Sequence, residues 1–146
     1  MVSEYTWKQT DHIQTKTSLK IYETHIGISQ LAKRIGTYKE FTQNILPYIK
    51  SIGYNCIQLM GILEHPHYST FGYQPNYIYA ASSRFGTMHD LKELIDTAHG
   101  LGIKVILDVI TGHSCSNELD GLNNFNGSHN CFFQSKKHPV WKCEMV

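Results

Sequence analysis

Two polar residues at the end of an apolar run are the first candidates for chemistry in this sequence. Residues 105–110 are apolar and β-branched except for Asp108, and His113 follows five positions later. A short apolar run of this kind is typical of a strand buried on both faces of a parallel sheet. A carboxylate there is costly to bury unless it is paired or faces a polar site. Because ligands of parallel β/α folds bind at the C-terminal ends of strands, Asp108 and His113 form a candidate site pair. The alternative is that Asp108 caps the following loop and that His113 is simply exposed.

The rest of the chain alternates strands and helices that would position this pair. Apolar or alternating segments predict strands at 19–26, 55–60 and 105–110, and apolar residues at helical spacing predict helices at 37–52 and 87–100. The order strand, helix, strand, helix, strand predicts two consecutive crossovers between parallel strands. The sequence therefore predicts an α/β fold with three parallel strands and two crossover helices.

Both predicted helices carry N-terminal signals. Thr37 and Thr87 each precede an acidic residue by three positions, Glu40 and Asp90, which is the pattern of a capping box. Pro47 lies inside the first helical segment and should kink or split it, since proline lacks the N–H that a helix interior requires.

A long segment between the second strand and the second helix, residues 61–86, is predicted to be a loop. It is rich in aromatic side chains: Tyr68, Phe71, Tyr73, Tyr77, Tyr79 and Phe85. Loops of this length inside a compact domain are usually functional. Flat aromatic faces with polar edges suit sugar rings, whose axial C–H groups form apolar patches. The alternative is that these rings only pack the loop onto the body of the domain.

The composition narrows the class of protein. The 146 residues suffice for one domain, and 13 basic against 12 acidic residues leave a formal charge of +1, which favours neither nucleic acid nor an anionic membrane as a partner. The sequence contains neither an apolar run of membrane-spanning length nor an N-terminal signal-peptide pattern, so we expect a cytoplasmic protein. Residues 1–18 are polar and aperiodic and predict an N-terminal linker, with residues 19–146 as the domain.

A metal site is a weaker alternative. The four cysteines, Cys56, Cys115, Cys131 and Cys143, form no Cys-x-x-Cys pair, so neither a structural metal nor another cofactor is predicted. A metal-dependent hydrolase could use His65, His67, His113 and Cys115, because His-x-His near a strand end is a known ligand pattern. The intervening Pro66 makes this a poor case.

Five segments in chain order closely resemble the eukaryotic 1,4-alpha-glucan (glycogen or starch) branching enzymes of the alpha-amylase superfamily. These segments are residues 19–27 (LKIYETHIG), 53–60 (GYNCIQLM), 71–74 (FGYQ), 82–87 (SSRFGT) and 108–113 (DVITGH). The resemblance implies a partial (β/α)8 TIM barrel, consisting of its first three strands and two crossover helices. It also implies kinship with enzymes that form alpha-1,6 branches in alpha-1,4-glucan, with an alpha-glucan as the partner.

The resemblance implies binding roles for three residues. Tyr73 matches the tyrosine that stacks on the sugar at the cleavage subsite, Asp108 the aspartate that braces the catalytic centre, and His113 the histidine that hydrogen-bonds the sugar's hydroxymethyl group. The family's nucleophile, its general acid and its stabilising aspartate lie on later strands. No catalytic residue is therefore assigned, and the chain alone is expected to lack branching activity.

Retaining glycoside chemistry needs two carboxylates about 5 Å apart, so Asp108 would require a partner. Glu64 follows the second predicted strand, and Glu118 and Asp120 follow the third. Of these three, only Glu64 is close to a strand end, and the favoured alternative makes it a loop residue that orients His65. A non-catalytic glucan-binding or regulatory module, using Tyr73 and the aromatic loop, is the alternative function.

Three strands alone should also leave one sheet face and one strand edge uncovered. Apolar side chains between positions 105 and 110 would then be exposed. This predicts low stability, self-association or docking onto a partner chain.

Overall fold

The computed structural model describes residues 4–10, 18–128 and 131–133. The chain divides into two compact units. The first consists of Met1–Met60 and Ser83–Asp108, and the second of Gly61–Ser82 and Val109–Val146.

A three-stranded parallel sheet forms the centre of the first unit. Its strands are β1 (Ile21–Thr24), β2 (Cys56–Leu59) and β5 (Lys104–Leu107), in the spatial order β1-β2-β5. The strands pair in register, so Ile21 lies beside Cys56 and Cys56 beside Lys104. The predicted pair of crossovers between parallel strands is confirmed. The strands are shorter than predicted, and β5 ends at Leu107 rather than at residue 110.

The first crossover is helical and contains an irregularity at its proline. It consists of α1 (Tyr38–Glu40), a π-helical turn (Phe41–Ile45) and α2 (Leu46–Ser51). The predicted capping box is present, with the Thr37 side chain accepting from the Glu40 backbone N–H. Pro47 causes no break: because it cannot donate to the residue four positions back, the turn before it widens, and the Leu46 N–H bonds to the Phe41 carbonyl.

The second crossover is the regular helix α3 (Met88–Gly100). Its N-terminus has the predicted capping box, in which Thr87 accepts from the Asp90 backbone N–H. Leu94 and Ala98 have no exposed surface, as the predicted apolar stripe requires. The apolar core of this unit is drawn from both crossovers and the sheet, and its fully or almost fully buried members are Ile26, Tyr38, Phe41, Leu46, Ile49, Ile57, Leu59, Phe85, Leu94, Ala98 and Ile103.

One face of the sheet is covered less completely than the other. The register places Ile21, Gln58 and Ile106 on one face, and it places Ile57 and Leu59, which are both fully buried, on the other. Ile21 is 41% exposed and Ile106 38% exposed. The expectation that the third strand is buried on both faces is therefore wrong, because β5 is an edge strand that pairs only with β2 among the described residues. The predicted exposure of apolar side chains is confirmed.

The N-terminal residues contact helix α3. Residues 4–10 form neither helix nor strand, but the Asp96 carboxylate accepts hydrogen bonds from the Tyr5 hydroxyl (2.9 Å), the Lys8 N–H (2.9 Å) and the Gln9 N–H (2.8 Å). Asp96 is only 3% exposed. A buried carboxylate needs such donors, since an unpaired buried charge is strongly destabilising. This part of the predicted linker is thus attached to the first unit.

These hydrogen bonds perturb both acidic groups. Burial alone would raise the pKa of Asp96, but the bonds from the Lys8 and Gln9 N–H groups and from Tyr5 outweigh it and hold the pKa below its usual value. Burial, followed by the hydrogen bond to Asp96, raises the pKa of Tyr5 to about 12.

The second unit contains a small antiparallel sheet that the sequence patterns did not predict. Strand β3 (Leu63–Glu64) pairs with β4 (Tyr77–Ala81), and a 3₁₀ turn (Tyr68–Thr70) lies between them. The segment predicted as a plain loop at 61–86 is therefore partly a hairpin. β4 escaped detection because its sequence, YIYAA, has no alternation of apolar and polar residues. No helix within the described residues is long and apolar enough to cross a membrane.

Candidate functional site

Asp108 lies at the C-terminal edge of the parallel sheet. It directly follows β5, and its N–H donates to the Leu59 carbonyl at 3.0 Å, which continues the pairing of β5 with β2. Its side chain is half-buried. The carboxylate thus occupies the position that the sequence predicted, at the edge where parallel β/α folds bind ligands.

Tyr73 lies in the second unit, just after a sharp bend. Its N–H donates to the Thr70 carbonyl at 2.9 Å, and its side chain is half-buried. The two preceding residues, Phe71 and Gly72, have φ values of 52° and 86°. A large side chain in the left-handed region is uncommon, and such strained positions cluster at functional sites. Two consecutive residues with positive φ therefore form the turn immediately before Tyr73, the predicted sugar-stacking residue.

The glycine in this bend is required by a close approach between two stretches of backbone. A Cβ atom on Gly72 would lie 2.1 Å from the Gly61 carbonyl oxygen, far inside van der Waals contact. Gly61 is the second residue after β2 in the chain. No side chain fits between the backbones of these two glycines. Their contact therefore fixes the position of the bend and of the Tyr73 backbone that follows it.

His113 is exposed and belongs to the same unit as Tyr73. The segment that carries it is attached to the aromatic loop by the Cys115 N–H, which donates to the Pro75 carbonyl at 2.9 Å. Tyr73 and His113 each lie two residues before one end of this hydrogen bond. Since two residues of extended chain span about 7 Å, the Cα atoms of Tyr73 and His113 lie within roughly 20 Å of each other. The structure therefore brings these two predicted residues into one compact unit, while Asp108 belongs to the other.

Asn76 is a residue of this region that the sequence patterns did not single out. It is 7% exposed, its N–H donates to the Glu64 carbonyl at 3.0 Å, and its side-chain amide donates to the Asp120 carbonyl at 2.7 Å. The only signal for it in the sequence is its place in the aromatic loop next to a proline. Its partners lie 12 and 44 residues away, so local patterns cannot reveal them.

Glu64 contacts its neighbour His65. Its side chain accepts from the backbone N–H of His65 at 3.1 Å, and the His65 Nδ1 atom lies 2.8 Å from the Leu63 carbonyl oxygen. This geometry agrees with the favoured alternative, in which Glu64 is a loop residue acting on His65.

The described residues also offer no support for the metal-dependent alternative. They contain no group of three His, Cys, Asp or Glu side chains able to hold a metal ion. Cys115, one of the ligands considered, instead donates its thiol to the Asn117 side-chain oxygen at 2.8 Å.

Comparison with known proteins decides the family. Residues 13–142 match the family model described as alpha amylase, catalytic domain. This chain belongs to the alpha-amylase family. The family match covers most of the chain, including the parallel sheet, the aromatic loop and all three predicted binding residues.

The chain is similar to branching enzymes along most of its length. It is 53% identical over 145 residues to a 1,4-alpha-glucan-branching enzyme of Yarrowia lipolytica, an alignment that covers 97% of this chain and 21% of the relative. It is 54% identical over 127 residues to the 1,4-alpha-glucan-branching enzyme of Equus caballus, covering 85% of this chain and 18% of the relative. The chain thus spans about a fifth of the length of these relatives. The predicted resemblance to eukaryotic branching enzymes is confirmed.

The fold agrees with the family. The structure superposes on the trehalose-6-phosphate hydrolase of Bacillus licheniformis with a TM-score of 0.60 and 27% identity, covering 69% of this chain and 18% of that chain. The parallel β1-β2-β5 sheet with its helical crossovers is therefore part of a (β/α)8 barrel, as the sequence predicted.

Proposed function

We propose that this alpha-amylase-family chain belongs to a branching-type enzyme and contributes to binding its alpha-1,4-glucan. The observation that carries the proposal is the 53% identity to a branching enzyme across 97% of the chain. An enzyme of this kind breaks an alpha-1,4 bond and transfers the released glucan to a 6-hydroxyl group, which forms an alpha-1,6 branch.

The proposed binding residues have the chemistry that a neutral sugar requires. The half-buried ring of Tyr73 offers a flat apolar face to the C–H groups of a glucose unit, and its backbone is held by the Gly61–Gly72 contact. His113 is exposed and can donate or accept a hydrogen bond to a hydroxyl group. Asp108 is the third proposed residue, with a carboxylate that accepts hydroxyl protons at the edge of the sheet.

The proposal gives these 146 residues a binding role and no bond-breaking role. Retaining glycosyl transfer needs two carboxylates about 5 Å apart, one as nucleophile and one as acid/base. Glu64, the carboxylate that ends β3, accepts a hydrogen bond from the backbone of its neighbour His65. The 146-residue polypeptide is therefore expected to bind alpha-glucan without branching it.

Affinity electrophoresis tests the binding role. The purified chain should be retarded in a native gel that contains glycogen, and Tyr73→Ala should lose most of this retardation. Tyr48→Ala is the matched control, because Tyr48 is an exposed tyrosine on α2 that lies outside the proposed site. Equal retardation of the two variants would contradict the proposal.

Incubation with amylose tests the second half of the proposal. Loss of the amylose–iodine colour reports branching, and none is expected from the 146-residue chain. Clear colour loss would show that the chain holds a complete catalytic centre and would refute the assignment of a binding role alone.

A further inference from the structure

Two neighbouring residues of the aromatic loop attach the segment that carries His113. The Pro75 carbonyl accepts from the Cys115 N–H at 2.9 Å, and the Asn76 side-chain amide donates to the Asp120 carbonyl at 2.7 Å. The two attachment points on the segment are five residues apart. A single hydrogen bond would leave the segment able to rotate about it, whereas two bonds fix its direction as well as its position.

Asn76 also fixes the aromatic loop itself. Its backbone N–H donates to the Glu64 carbonyl at 3.0 Å, and Glu64 is the last residue of β3. One residue therefore joins three stretches of chain: the β3 strand, the loop that contains Tyr73, and the segment that contains His113.

Asn76 is a polar side chain in a buried position, which indicates that its amide serves a particular interaction. The side chain is 7% exposed, and its Oδ1 atom is fully buried without a hydrogen-bond partner among the described residues. A buried acceptor without a hydrogen-bond partner is destabilising. An amide at this position is therefore unfavourable unless its N–H group makes a hydrogen bond that an apolar side chain could not make. The bond from Nδ2 to Asp120 is the interaction that an apolar side chain of the same size would lose.

We propose that Asn76 is a positioning residue for glucan binding, which holds the His113 segment in register with Tyr73. The inference rests on the proposed function, because it assigns Asn76 an effect on the same ligand. Asn76 contacts no sugar in this account and acts only through the orientation of His113.

A double-mutant cycle tests this directly, with the dissociation constant for maltoheptaose as the readout. Asn76→Leu keeps the number and branching of the side-chain heavy atoms and removes the Nδ2 donor, and it should weaken binding about fivefold, the loss expected for one neutral hydrogen bond. In a His113→Ala background the same change should have almost no further effect, since His113 is then no longer there to be positioned. A purely structural role for Asn76 would instead weaken binding equally in both backgrounds.

Asn123→Leu is the matched control. Asn123 donates its side-chain amide to the Ser116 carbonyl at 2.8 Å, so this variant removes the same type of bond within the segment rather than between segments. It should bind maltoheptaose as the wild type does. If Asn76→Leu fails to fold, Asn76→Ser is the substitute. Its smaller polar side chain is too short to reach the Asp120 carbonyl, so this variant should show the same dependence on His113.

The outcomes separate this inference from the proposed function. Wild-type affinity in Asn76→Leu, or equal weakening in both backgrounds, overturns the positioning role while the losses caused by Tyr73→Ala and His113→Ala remain. If Tyr73→Ala and His113→Ala both bind as the wild type does, the proposed function fails, and the positioning role fails with it.

Discussion

Substitution of Gly72 should destabilise the second unit far more than substitution of a glycine with the same backbone conformation elsewhere. Gly72 and Gly53 have φ values of 86° and 84°, so an alanine at either position experiences the same left-handed strain. They differ in the space around them. A Cβ atom on Gly53 would meet nothing within 4 Å, whereas one on Gly72 would lie 2.1 Å from the Gly61 carbonyl oxygen.

The expected magnitudes follow from this difference. Left-handed strain alone should cost Gly53→Ala about 1 kcal/mol. Gly72→Ala carries the same strain and also a clash between two backbone segments, and overpacking of this kind adds about 1–3 kcal/mol. We therefore expect a cost of about 3 kcal/mol at Gly72, because the atoms that the new Cβ would meet are backbone atoms of Gly61 and not the end of a flexible side chain.

Hydrogen exchange is the suitable assay, since it reports each unit separately. Gly72→Ala should accelerate exchange of the Tyr73 and Ser82 amides, which donate to carbonyls within the second unit. Gly53→Ala should leave these two amides unchanged. Similar exchange in the two variants would refute the claim that the glycine–glycine contact holds the bend.

Three further predictions concern the first unit and its uncovered sheet face. Asp96→Ala should release the N-terminal residues and cost about 2–4 kcal/mol. Each of the three hydrogen bonds to this charged group is worth about 1.5–3 kcal/mol, but the variant also recovers the several kcal/mol that burying the carboxylate costs. Accelerated exchange of the Lys8 amide measures the loss, and Glu93→Ala, an exposed acid on the same helix, is the control. The same attachment should depend on pH. The lowered pKa of Asp96 contributes stability that is present above its ordinary pKa and lost as the pH falls through the lowered one. The raised pKa of Tyr5 contributes stability that is fully present below its ordinary pKa of about 10 and is lost as the pH rises to about 12. Protection of the Lys8 amide, taken as the ratio of its intrinsic to its observed exchange rate, should fall in acid, and a ratio that stays constant below pH 4 would contradict this. Finally, the exposed Ile106 predicts self-association, so sedimentation should show concentration-dependent oligomers that Ile106→Lys reduces; a compact monomer at all concentrations would disagree.

The elements of the first unit were predictable because their signals are local. Thr37 and Thr87 each form a capping box with a residue three positions later, and apolar spacing marks the buried faces of the helices. Asp108 could be placed near the C-terminal end of a strand for the same reason, although β5 ends at Leu107, just before Asp108, and not at residue 110.

The features that sequence patterns missed depend on distant partners. The donors to the Asp96 carboxylate lie about 90 residues earlier, in a polar segment without periodicity, so an acidic residue on a helix was indistinguishable from a surface one. Asn76 likewise owes its burial to the carbonyls of Glu64 and Asp120. The attachment of the His113 segment to the aromatic loop was not predicted, because the hydrogen bond from Cys115 to Pro75 is between backbone groups and has no residue signature.

Titration of the isotopically labelled chain with maltoheptaose, followed by amide chemical shifts, is the most direct test that this alpha-amylase-family chain binds alpha-glucan through its predicted residues. Saturable shifts are expected, concentrated in residues 71–76 and 108–115, the two ranges that contain Tyr73, Asp108 and His113. Absence of any shift at saturating maltoheptaose, or shifts confined to helix α3 and the N-terminal residues, would contradict it.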